Sequence, residues 1–384
     1  MNPLPDVYGD LLIVRAPVPA TLNKAGANYK SEVTHLEYSP RRAFDEWLSI
    51  CDAIVACGGD ALYQFEELDD PFLDHAALEV DAEGVIHPAG SSEIIETMTN
   101  IMTGRVFAAN GPWVTIDEGQ GNGEMRALMP NMLSHRREEI AYYVDLLGVI
   151  AHESELRFAF TENPHRWEGM ADVATVGDRV VLTYAVPGHY DEGLEPKSSR
   201  STREGVAYAA HWAGVPDDAR VFAELVYPHF HGDTVHYGLR PTNGPPMLAH
   251  YAKGLWGDSA AIVEREIGAD RILPIGADDA VEQYAGNSRQ VAGGVLVPDG
   301  VSADYVADVE RRGLVTHRVP LFELFGKAGG GPACATLYLP RTLRLPETSR
   351  LRYSQNREAA HARRERIPQA LRVDPAYFAG KARG

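Results

Sequence analysis

The sequence predicts a mixed α/β protein, on three observations. Short β-like apolar runs recur along its length, segments of helical spacing lie between several of them, and hydrophobic residues make up 45% of the 384 positions. That apolar content suffices for a packed core, so wholesale disorder is excluded.

In chain order, the run Asp10–Pro17 (DLLIVRAP) reads as a strand and Ser39–Cys51 as a helix, followed by the β-like DAIVAC of Asp52–Cys57. Ser91–Thr103 has helical spacing, Val106–Asp117 (VFAANGPWVTID) is strand-like, and Pro130–Leu147 is helical again. Val173–Val186 carries two β-like runs around Gly177 and Asp178, Arg203–Ala213 a helix, Arg220–Phe230 a strand and Thr234–Leu239 another. Ser259–Ile267 and Ser302–Arg312 have helical spacing, and Gly293–Pro298, Thr316–Leu321 and Cys334–Pro340 read as strands. No fixed sequence period emerges, which argues against solenoids and blade arrays built on sequence repeats.

No interior stretch has linker composition, so one catalytic domain over residues 1–340 is expected. Beyond Pro340 the composition shifts to an Arg-rich tail, 341–384, in which Asn356–Ile367 could form one helix. Packing of that tail on the acidic body is expected ahead of nucleic-acid binding.

Lys and Arg total 36 against 54 Asp and Glu, a formal charge of -18 that repels polyanions and makes nucleic acid an unexpected partner. A cationic small molecule is compatible with such a surface. Cys51, Cys57 and Cys334 are too few and too irregularly spaced for a disulfide framework or a CxxC zinc site. With no apolar stretch near the roughly 18 residues that span a bilayer, the chain reads as soluble and cytoplasmic, with no membrane partner. Self-association into a homo-oligomer stays open.

The strongest local signal is GKAGGGPACATLYLP, where four glycines precede Cys334 and a β-like run follows. Glycines permit positive φ and close ligand approach, which suits a nucleophile at the mouth of a pocket; a buried cysteine beside a turn is the plainer alternative. Lys327 precedes the glycines instead of following them, so the segment is not a Walker phosphate loop.

In YPHFHGDTVHYGL, His231 and Asp233 alternate and would share a strand face, a pairing suited to proton transfer and to holding a cation. The same segment offers His229, His231, Asp233 and His236 as a metal-ligand set, if the strand is regular. Two acidic segments complete the candidates: Glu168 and Asp172 in HRWEGMADVATV, and Asp117 at the end of GPWVTID.

Taken in order, Asp117 in WVTID, Glu168 in WEGMADV, His231 and Asp233 in HGDT, and Cys334 in GGGPAC resemble the FTRD, EGGD, HxDT and GGGxxC series of the guanidino-group-modifying enzymes, the pentein superfamily. NSRQVAGGVLVP is similar to the strand between the last two motifs. The resemblance covers roughly Leu11 to Pro340. It departs at Ile116, where the family often has Arg, and in the four steps from Glu168 to Asp172 where EGGD has three, which keeps Asp172 as a second candidate for the acidic position.

The resemblance implies a propeller of five ββαβ-like units around a central active site, with no cofactor. It implies Cys334 as the thiolate nucleophile, His231 as general acid and base, and Glu168 as the carboxylate that orients the imidazole. Asp117 and Asp233 would clamp the guanidinium, with Asp172 in reserve, and Arg136, Arg137, Arg203 and Arg240 are candidates for a substrate carboxylate. The expected function is cysteine-dependent hydrolysis of arginine or an arginine-like small molecule through a covalent thiouronium, releasing ammonia and a ureido product. An amidinotransferase is the alternative within the family, and a non-catalytic metal-binding protein using His229, His231 and His236 is the alternative outside it.

Overall fold

A computed structural model describes residues 9–17, 37–64, 78–80, 85–88, 107–117, 123–132, 136–137, 139–189, 200–320, 322–323, 329–365 and 371–373. Its main feature is five three-stranded sheets of one design: an antiparallel pair, a helix, then a third strand parallel to the second. This is the ββαβ unit, in which a parallel neighbour requires a crossover and the helix supplies it.

Four units run consecutively. The first of these pairs Trp113–Asp117 with Glu124–Met129, crosses by the helix Glu139–Glu153 and adds Arg157–Glu162. The next joins Val173–Val176, Arg179–Tyr184, the helix Arg203–Trp212 and Arg220–Glu224. Then come His236–Leu239, Met247–His250, the helix Ser259–Ile267 and Ile272–Pro274. The fourth uses Arg289–Val291, Gly294–Pro298, the helix Ala303–Glu310 and Val315–Val319.

The fifth unit is shared between distant parts of the chain. Thr336–Tyr338 pairs antiparallel with Leu11–Val14, which crosses by the helix Pro40–Ala56 to the parallel strand Asp60–Leu62. A sequence period could not reveal five units when one of them is assembled from both sides of the other four. The central strands read as unbroken apolar runs because both faces are covered; all five residues of Gly294–Pro298 are buried.

Helix starts follow local chemistry. The hydroxyls of Ser39, Thr202 and Ser302 accept from the amides of Arg42, Gly205 and Tyr305, and Pro40 opens the first of these helices. DAIVAC, expected as a strand, is instead the end of the helix Pro40–Ala56. Ile50, Cys51 and Ile54 lie on its buried side, so packing overrides the β preference of the short apolar run. The expected helix Ser91–Thr103 lies outside the described residues.

The described part of the Arg-rich tail packs on the body. Leu343, Leu345 and Leu351 join the core beneath the helix Glu139–Glu153, and Tyr353 joins the core around Trp47. The helix Tyr353–Arg364 lies over Pro40–Ala56, with Arg352 on Asp60, Arg357 on Asp52 and Arg364 on Asp45. Among the described residues no helix is long and apolar enough to cross a membrane.

Candidate active site

Every unit presents the short turn that precedes its first strand to one common point. These turns are Ala108–Asn110, Gly169–Asp172, Gly232–Thr234, Ala285–Asn287 and residues 332–335. Each is bonded to the next in a closed circuit. Asn110 Nδ2 donates to the Glu168 carbonyl at 2.9 Å, the Gly232 amide to Asp172 Oδ1 at 2.9 Å, and Asn287 Nδ2 to the Asp233 carbonyl at 2.8 Å. The Ala333 amide donates to the Asn287 carbonyl at 2.9 Å and the Ala109 amide to the Cys334 carbonyl at 3.0 Å, closing the circuit.

Close packing of the turns fixes particular residues. Gly169 has φ +81°, and a Cβ there would stand 2.3 Å from the Asn110 carbonyl oxygen, so only glycine fits.

The circuit brings together Cys334, His231, Glu168, Asp172 and Asp233, all buried. The Cys334 thiol donates to Asp233 Oδ2 at 3.2 Å and accepts from Asn287 Nδ2 at 3.1 Å. Burial pushes the thiol up, and the neighbouring Asp233 charge pushes it further. Burial likewise raises the Asp233 carboxyl, against the opposing pull of His231. Asp233 Oδ1 has no hydrogen-bond partner among the described residues.

His231 lies between two carboxylates, with Nδ1 3.1 Å from Asp172 and Nε2 3.2 Å from Glu168. Burial works to lower the imidazole, but the charge and hydrogen bond of Asp172, with those of Glu168, outweigh it and carry it up to about 9. Burial works to raise Glu168 as well, and is outweighed by Arg200, 3.2 Å away, and by His231, which together hold the carboxyl below the ordinary range.

Several sequence expectations are corrected here. His231 and Asp233 do not share a regular strand face, since a 3-10 turn starts at Gly232 and sends the imidazole to the carboxylates and the Asp233 carboxyl to the thiol. Asp172 is a partner of the imidazole, not a free substrate ligand: its oxygens also accept from Thr183, Ser201 and the Gly232 amide. Asp117 does not join the cluster. It is exposed at the outer end of its strand, four residues or about 13 Å beyond buried Trp113.

The arginine candidates also separate. Arg136 is buried, bonded to both Glu139 oxygens at 2.6 and 2.9 Å and to Asn110 Oδ1 at 2.6 Å, so it braces the Asn110 turn. Arg137 and Arg240 are exposed, and Arg203 lies over the rings of Phe222 and Tyr184.

The proposed metal set is dispersed, because His231 is held by carboxylates, His229 faces Thr234 and His236 faces His250. Among the described residues no group of three or more His, Cys, Asp or Glu is placed to hold a metal ion.

Asn110, Asn287, Arg200 and Ser201 were not singled out by the sequence. Asn110 and Asn287 occupy the same place in their units as Cys334 does in its own, and that position before the first strand is the signal that finds them.

The arrangement of five such units has solved counterparts. The chain has the fold of the guanidino-group-modifying enzymes. It superposes on the N-terminal domain of ArgZ, an arginine dihydrolase from the ornithine–ammonia cycle in cyanobacteria, solved as a Cys-to-Ser variant bound to substrate. The TM-score is 0.60 at 19% identity over 86% of this chain and 98% of that one. AgrE, solved in a ternary complex with ornithine and NAD+, gives 0.60 at 18% identity over 89% of this chain and 40% of that one. A dimethylarginine dimethylaminohydrolase adduct with S-methyl-L-thiocitrulline gives 0.54 at 13% identity over 86% and 100%. No protein-family profile and no curated protein sequence matches this chain.

Proposed function

We propose that this protein hydrolyses the guanidino group of arginine or an arginine-like small molecule, with Cys334 as nucleophile and His231 as general acid and base. The observation that carries the reading is the pairing of Cys334 with Asp233 3.2 Å away, in the same buried cluster as an imidazole held between two carboxylates. The solved neighbours, an arginine dihydrolase and a dimethylarginine dimethylaminohydrolase among them, support guanidines as the substrate class.

At rest, burial and the Asp233 carboxylate disfavour the thiolate. A planar guanidinium reverses that balance: it donates to the open Asp233 Oδ1 and places a positive charge beside the sulfur. Substrate arrival therefore activates the nucleophile.

The thiolate then attacks the central carbon. His231, held protonated by Asp172 and Glu168, passes a proton to the departing nitrogen as the C–N bond breaks, leaving an S-linked thiouronium. The now neutral imidazole takes a proton from water, whose oxygen adds to the same carbon, and C–S cleavage returns Cys334.

Mass spectrometry of products from wild type and Cys334→Ala with a panel of guanidines, with and without an amine acceptor, tests the reading. Ammonia and a ureido product from wild type alone are expected. Product formed only with acceptor would make the protein an amidinotransferase, and no turnover of any guanidine would sink the proposal.

A further inference from the structure

Asn287 makes four side-chain hydrogen bonds, the full capacity of an amide. Nδ2 donates to the Asp233 carbonyl at 2.8 Å and to Cys334 Sγ at 3.1 Å. Oδ1 accepts the Gly331 amide at 2.7 Å and the Cys334 amide at 3.0 Å. The side chain is fully buried, so water replaces none of these partners.

The four partners fix which end of the amide faces the sulfur. Turned over, Oδ1 would oppose the Asp233 carbonyl and the NH2 group would oppose two N–H donors. The N–H dipole is therefore aimed at Sγ before any reaction begins. Asn287 also limits the loop: a Cβ on Gly331 would come within 2.8 Å of Oδ1.

A neutral thiol is a weak acceptor, whereas a thiolate is charged, and hydrogen bonds to charged groups are about twice as strong as neutral ones. A donor locked onto sulfur therefore favours the ionised form over the neutral one, as oxyanion-hole donors favour developing negative charge.

We propose that Asn287 is a catalytic residue whose fixed Nδ2–H stabilises Cys334 as a thiolate, opposing the neighbouring Asp233 carboxylate. The proposal rests on Cys334 being the nucleophile and on no particular guanidine. Two groups in contact with one sulfur thus act in opposite directions: Asp233 holds the thiol protonated until a cation arrives, and Asn287 lowers the cost of ionisation when it does.

The test is the rate of alkylation of Cys334 by iodoacetamide, read on the Cys334 peptide by mass spectrometry so that Cys51 and Cys57 do not contribute. The C–S bond forms as C–I breaks, iodide leaves, and the thiol proton passes to buffer. Loss of one charge-assisted bond in Asn287→Ala raises the thiol by about one pH unit, cutting the thiolate fraction about tenfold. Intrinsic nucleophilicity rises about threefold as basicity grows, so the net rate falls about threefold at each pH below the inflexion.

A purely structural role predicts the opposite sign, because a loosened loop exposes the sulfur and speeds alkylation. A folded Asn287→Ala that reacts as fast as wild type or faster overturns the proposal. If that variant fails to fold, Asn287→Asp keeps the size and the acceptor for Gly331 and Cys334, and is judged by the same two outcomes. The readout needs no substrate, so a protein that turns over no guanidine would defeat the proposed function and leave this assignment standing or falling separately.

Discussion

The Cys334 thiol points at the Asp233 carboxylate from 3.2 Å, and both groups are buried. A thiol facing a carboxylate resists ionisation at rest, and in the proposed reaction the charge that resolves the conflict comes from the bound cation.

Asp233→Asn separates the two roles of that carboxylate. Removing its charge lowers the Cys334 thiol, so alkylation of the resting protein by iodoacetamide becomes faster. Guanidine turnover falls about 100-fold or more, because the cation loses its charged anchor. Parallel alkylation and product assays check both signs, and a variant that loses both or keeps both contradicts the assignment.

The imidazolium of His231 gives an alkaline limit. Its folded pKa of about 9 stands above the free-histidine value of about 6.5, so the stability it contributes is complete below about pH 6.5 and is lost as pH rises through about 9. Turnover declines over the same limb as the acid is lost. Thermal unfolding against pH for wild type and His231→Gln should converge above that limb, and Asp172→Asn should shift the activity limb to lower pH.

Three buried histidines give an acid limit. His229 and His250 are each lowered by burial to about 4, and His236 is lowered by burial and by the neighbouring His250. Both ring nitrogens of His236 and of His250 lack partners among the described residues. The unfolded chain binds protons at these groups first, so stability is full above about pH 6.5 and falls as pH drops towards 4 and below. Glu168, held low, adds a loss over the carboxylate range in the same direction. Circular dichroism should place the acid-unfolding midpoint of a His236→Leu, His250→Leu double variant below that of wild type.

The tail is expected to carry stability. Tyr353 is fully buried, with its ring 6.1 Å from Trp47 and 6.3 Å from Tyr63, and its hydroxyl donates to Asp52 at 2.8 Å. Tyr353→Ala should cost about 3 kcal/mol or more, with a matching fall in denaturant midpoint. A midpoint within experimental error of wild type would mean that the tail rests on the body without supporting it.

Cys334, His231 and three of the acidic candidates are legible because each sits in a short segment of unusual composition: glycines before Cys334, HGDT, and the acids of WEGMAD. Asp117 was misplaced because a carboxylate at a strand end looks alike whichever end of the strand faces the centre. Asn287 was passed over because one asparagine before a strand is an ordinary turn residue.

Residue type and periodicity along the chain give the mixed α/β class, most of the strands and helices, and the residues whose chemistry demands notice, because all of these are local properties. The packing of distant segments decides that five turns, one per unit, meet in a closed hydrogen-bonded circuit, that Asp172 joins Glu168 on His231, and that Asn110, not Asp117, lies in that circuit. Those relations link residues 46 to 225 positions apart, from Ala333 on Asn287 to Ala109 on Cys334. The packing of sheets around a shared centre sets such distances, and no spacing along the chain encodes them.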